Sequence, residues 1–188
     1  MELGIWASLY RFTFRRPRVP AGAVGFTYHG QVWTLLMIFI GLSAVEIPII
    51  DLIVHRWPVV RISFLVLGIW GLTWMVGLAL GFITRPHSVG PDGIRMRNGA
   101  ETDVGLSWRD IHSVEIARQA DEPKSPRVEI AADGTRTLAV RMQNETNIHI
   151  EFESPLQLTL PSGRQTVDAL RFWVDEPRAF LDEARKYL

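Results

Sequence analysis

Two apolar runs, residues 32–54 and 62–83, constrain what this chain can fold into more than any other feature. As helices they rise about 1.5 Å per residue, so each is long enough to cross roughly 30 Å of hydrocarbon. The link His55-Arg56-Trp57-Pro58 is short, and the second helix must return beside the first. The pattern predicts a membrane α-hairpin of two transmembrane helices carrying a polar C-terminal domain. The expected division is a basic N-terminal arm (1–31), a first span (32–54), a second span (60–84) and a cytoplasmic domain (87–188).

Net charge is zero over the whole chain, but it is unevenly placed. Residues 1–85 hold 7 basic and 3 acidic side chains, and residues 86–188 hold 13 and 17. An acidic soluble domain lacks the basic surface that nucleic acid requires, so no nucleic-acid partner is expected. The chain has no cysteine, which excludes disulfides and thiolate chemistry. Arg11, Arg15, Arg16 and Arg18 precede the first span, and Arg85, Arg95 and Arg97 follow the second, against Arg56 and Arg61 in the link. The positive-inside bias then puts both termini in the cytoplasm, with the hairpin tip outside. A cleaved signal peptide is not expected, because the first apolar run begins late and is too long. The opening segment interleaves Trp6, Leu9, Tyr10, Phe12 and Phe14 with arginines. It reads either as an interfacial segment in the headgroup layer or as a basic arm that only sets topology.

Ionisable residues inside spans are costly, and each needs a physical reason. Folding the hairpin about its link brings Asp51 within reach of Arg61, which reads as a salt bridge at the outer rim. Glu46 lies deeper, with no basic residue opposite it. Its expected partners are Ser43, Thr73 or another chain, near the helix opening made by Pro48. Glu46 and Asp51 are about 140° apart around one helix, so they do not share a helix face. Glu46, Asp51 and Arg61 together form a candidate intramembrane polar site. Gly77 and Gly81, at small-xxx-small spacing in the second span, are candidates for close helix packing, within the hairpin or between copies.

From His87 onward the texture changes to short alternating stretches separated by turn residues. Expected strands are 93–97, 104–108, 112–118, 128–131, 137–142, 148–153, 156–160 and 165–172. Pro91-Asp92-Gly93, Asn98-Gly99, Asp133-Gly134 and Pro161-Ser162-Gly163 supply turn chemistry, and residues 121–126 read as a loop. A closing helix is marked by Pro177 in its first turn and by Phe180, Leu181, Ala184, Tyr187 and Leu188 on one face. About seven antiparallel strands and one amphipathic helix predict an all-β barrel or sandwich with a C-terminal capping helix.

Two linked motifs carry a resemblance. Pro91-Asp92-Gly93-Ile94-Arg95-Met96-Arg97 is followed by Leu106-Ser107-Trp108-Arg109-Asp110-Ile111-His112-Ser113-Val114. This pattern resembles the bacterial pleckstrin-homology-like (PH-like) domains, which commonly follow two transmembrane helices. The resemblance covers residues 87–188, or 32–188 for the layout, and implies that Trp108, Ile111 and Val114 are buried at a bend between strands. In eukaryotic relatives basic residues after the first strand grip phosphoinositide headgroups. Arg95 and Arg97 are the nearest equivalents and form a candidate lipid-facing basic site, although the following turn is short and acidic.

No catalytic fingerprint is present. His29, His55, His87, His112 and His149 are scattered without metal-ligand spacing, and there is no P-loop, dinucleotide motif or nucleophile elbow. The expectation is therefore a non-enzyme with no catalytic residues, no metal and no cofactor. Its partners would be the bilayer and a protein or a second copy, in an integral plasma (inner) membrane protein. Two functions fit: an adaptor or accessory subunit using its PH-like domain for protein interaction or self-association, and a sensor of membrane lipid or envelope state.

Overall fold

The computed structural model describes residues 19–99, 102–120, 126–160 and 163–188. The aromatic and arginine-rich opening segment, the loop 121–125 and Pro161-Ser162 lie outside the described residues. The chain divides into two compact units, one holding residues 32–84 and the other residues 17–31 with 85–188.

The first unit is built from α1 (Gly30–Ile53) and α2 (Pro58–Thr84), of 24 and 27 residues. At 1.5 Å per residue these helices are about 36 and 40 Å long, enough to span a bilayer core. No residue of α1 is buried, and in α2 only Gly77, Ala79 and Thr84 are. By length and composition both are able to cross a membrane, and their apolar surface fits a membrane-anchored domain. The helices meet where Gly68 leaves room for Ile47: a Cβ at Gly68 would lie 2.8 Å from Ile47 Cγ1. Hydroxyls in α2 are satisfied locally, Ser63, Thr73 and Thr84 donating to the carbonyls of Val59, Ile69 and Leu80.

Among its described residues, the second unit holds nine strands and one α-helix. The strands are β1 (Val24–Phe26), β2 (His87–Gly90), β3 (Gly93–Asn98), β4 (Thr102–Leu106), β5 (Ile111–Ala120), β6 (Arg127–Ile130), β7 (Arg136–Val140), β8 (Glu145–Leu160) and β9 (Gly163–Phe172). They form two sheets, ordered β1-β2-β3-β4 and β5-β8-β9-β7-β6. Of the barrel or sandwich that the strand pattern predicts, the closed barrel does not form: the strands make two separate sheets. The expected all-antiparallel order is also broken, since β7 runs parallel to β9. Between β7 and β8, which β9 separates in the sheet, a tight turn closed by the Met142–Glu145 bridge has Gln143 and Asn144 both at positive φ (45° and 68°). At Gly93, φ is +132° and a Cβ would lie 1.9 Å from the Leu106 carbonyl oxygen, so only glycine fits there.

Two further differences from the sequence pattern have physical causes. The stretches 148–153 and 156–160 belong to one strand, β8, although Pro155 lies within it. Proline is accommodated because the register with β9 slips between Glu151 and Leu156, where no ladder bond is required. And residues 24–28 are not part of a free arm: β1 pairs antiparallel with β2, placing Phe26 opposite His87.

The core gathers both sheets and α3 (Pro177–Ala184). Phe26 meets Phe180 edge-on at 5.1 Å between ring centroids, and Phe180 meets Phe172 at 5.6 Å. Ile111 and Val114 are buried, and Trp108 packs against them partly covered. Its indole stacks on Tyr187 at 5.3 Å and donates to the Gly90 carbonyl at 2.9 Å. A short 3-10 turn (Trp108–Asp110) makes the bend between β4 and β5.

Candidate functional site

In the first unit, Glu46, Asp51 and Arg61 line one groove along the α1–α2 seam, with a volume of about 320 Å3. Arg61 donates to both oxygens of Asp51, Nε to Oδ1 at 2.5 Å and a terminal nitrogen to Oδ2 at 2.9 Å. This is the planar two-point geometry that arginine favours with carboxylates. Although Glu46 and Asp51 are far apart around α1, the seam between two helices is wider than one helix face and takes in both. Ser43 and Gly71 line the same groove. Thr73 does not serve Glu46, because its hydroxyl bonds the Ile69 carbonyl at 2.7 Å. No described residue pairs with the Glu46 carboxylate. Of the candidate packing glycines, Gly77 is buried and Gly81 half-buried. The tight contact between the helices falls at Gly68.

In the second unit, Arg95 and Arg97 occupy alternate positions of β3, on one face, and both turn toward Asp103 of β4. Arg95 makes a two-point pair with Asp103 at 2.6 and 2.9 Å. Arg97 approaches the same carboxylate at 3.6 Å, and its side chain is only 4% exposed. Arg97 also donates to the Pro86 carbonyl at 3.2 Å. Burial alone would raise the Asp103 pKa, but the two guanidiniums outweigh it and hold the carboxyl below its ordinary range. The sheet face beside this pair carries a shallow groove of about 290 Å3 between the 20–23 turn and β4.

A buried polar centre that sequence reasoning missed ties the segment before α1 to the sheet. His87 Nδ1 accepts the Arg97 backbone N–H at 3.0 Å, and Nε2–H donates to the Trp173 carbonyl at 3.1 Å. Burial pushes the His87 pKa down to about 4. Tyr28 packs on His87 with ring centroids 4.6 Å apart and tilted by 32°, and its hydroxyl accepts the Gly99 N–H at 3.2 Å. Asp175 accepts the Gly30 N–H, 3.0 Å from each carboxylate oxygen, and so caps the first turn of α1. The signal for this centre was present: Val24-Gly25-Phe26-Thr27-Tyr28 alternates at period two. Among the described residues, no three of His, Asp and Glu gather as a metal site.

No protein-family model, curated protein or solved structure matches the chain.

Proposed function

We propose that this protein is a non-enzymatic adaptor or accessory subunit, held in a bacterial inner membrane by its two helices with both termini in the cytoplasm. Its β-rich unit serves as a PH-like interaction module. The orientation rests on the arginine bias around the spans. The PH-like reading is supported by the Trp108 bend, with its indole on Tyr187, and by a C-terminal helix whose Phe180 and Ala184 enter the core. The open sheets and the parallel β7–β9 pair depart from a simple antiparallel barrel.

One observation carries the adaptor role. The five-stranded sheet ends in two edge strands, β5 and β6, with no further strand on them among the described residues. Each shows an exposed isoleucine, Ile116 at 43% and Ile130 at 69%. Unpaired edges with apolar side chains are templates for another chain. The lipid-sensing alternative lacks comparable support, because Asp103 already engages Arg95 and Arg97.

The test is gentle extraction of the tagged full-length chain at native level, followed by mass spectrometry of co-purifying proteins and lipids. The adaptor reading expects a stoichiometric protein that is lost with Ile116→Lys or Ile130→Lys. A single enriched lipid, with no protein partner and no effect of either substitution, would overturn it.

A further inference from the structure

The groove between α1 and α2 contains two unpartnered polar groups that complement one another. Ser43 and Glu46 are three residues apart on α1, so they sit on one face, and both line the groove. The carboxylate is an acceptor without a donor among the described residues. The Ser43 hydroxyl is a donor not held by its own helix, unlike those of Ser63, Thr73 and Thr84. Gly71 forms part of the wall, and nothing lies within 4 Å of where its Cβ would be. The backbone of α2 is therefore open to close approach at that point.

We propose that the groove seats a second copy of this chain. Two hairpins related by a two-fold axis face groove to groove and make a four-helix arrangement. Ser43 of each copy donates to the partner's Glu46. The pairing is self-complementary: one donor and one acceptor per chain, each satisfied by its twin. An acyl chain fills the same volume but offers no donor, leaving the carboxylate unsatisfied in hydrocarbon. Glu46 itself, placed on the face that Gly71 leaves open, thus selects a polar partner over lipid. The inference rests on the membrane-spanning reading and is independent of what the β-sheet edges bind.

The absence of cysteine gives a clean test. Single cysteines are introduced into the full-length chain in native membranes, at Leu72 in the groove and at exposed Val45 outside it on α1. Mild oxidation should give a doubled-mass species from Leu72→Cys and not from Val45→Cys. Adding Glu46→Leu or Gly71→Leu should lower the cross-linked fraction about tenfold, the scale of one or two interhelical polar contacts. A Cβ at Gly71 meets nothing of its own chain within 4 Å, so Gly71→Ala, run beside Gly71→Leu, should also weaken the dimer while the hairpin stays membrane-retained. Equal cross-linking at both positions, cross-linking that survives both substitutions, or cross-links only to another protein would overturn the proposal. Carbonate extraction separates the underlying reading: a chain released from membranes defeats the spanning model, whereas a retained chain without cross-links defeats only the dimer.

Discussion

Phe26 offers the most direct test of how the second unit is built. The residue precedes the first span in sequence, yet it is 7% exposed in the core and meets the Phe180 ring at 5.1 Å. Truncating a buried phenylalanine to alanine costs about 3–5 kcal/mol, through lost transfer energy and the cavity left behind. A domain of this size has roughly 5–15 kcal/mol in total, so Phe26→Ala should remove a large share of it. The loss should fall on residues far away in sequence, because β9 and α3 share the same core. Hydrogen exchange of the full chain in nanodiscs reads this as faster exchange of the slowest amides of β9 and α3. At one decade per 1.4 kcal/mol, the expected acceleration is about two to four orders of magnitude. Val24→Ala, at an exposed position of the same strand, is the control and should change exchange by less than tenfold. If Phe26→Ala also changes β9 exchange by less than tenfold, residues 24–28 are an arm after all and the core described above is wrong.

The remaining predictions are briefer. His87 is held neutral, with a folded pKa of about 4 against an ordinary 6.5, so the unfolded chain binds the extra proton between those values. Stability of the β-rich unit should therefore be full above pH 6.5 and fall by up to about 3 kcal/mol on acidification to pH 4; denaturant titrations should show His87→Gln flattening that slope. Gly93→Ala places a Cβ against the Leu106 carbonyl and should cost more than about 2 kcal/mol by thermal melting, with no gain on lowering temperature. Gly68→Leu drives a side chain into Ile47 and should separate α1 from α2, seen as loss of a distance restraint between spin labels at the seam. Asp103→Ala releases Arg95 from its ion pair and should increase binding of the reconstituted protein to vesicles rich in anionic lipid, measured by flotation; unchanged binding would show that Asp103 does not mask that face.

Much of the candidate site was legible because local chemistry dictates it. Asp51 and Arg61 flank a link too short to keep them apart, so connectivity alone brings them within reach. The Arg95 and Arg97 face illustrates the opposite case. Alternation places both on one side of a strand, but the pairing of β3 with β4 sets Asp103 opposite Arg97, and this contact turns a basic face into an internal ion-pair cluster. The same holds for Glu46, whose spacing from Asp51 argues against a shared helix face while the seam between helices brings both into one groove.

The sequence by itself determined the two apolar helices, the turn chemistry and the amphipathic closing helix. Each of these depends on periodicity or on a residue's own conformational limits. Only the tertiary structure decided that β1 completes a sheet begun sixty residues later in the chain, that β7 runs parallel to β9, and that His87 is buried beneath Tyr28. Those outcomes are long-range pairings. Their free energy comes from surfaces that meet only once the chain has folded, and no window of neighbouring residues contains both partners.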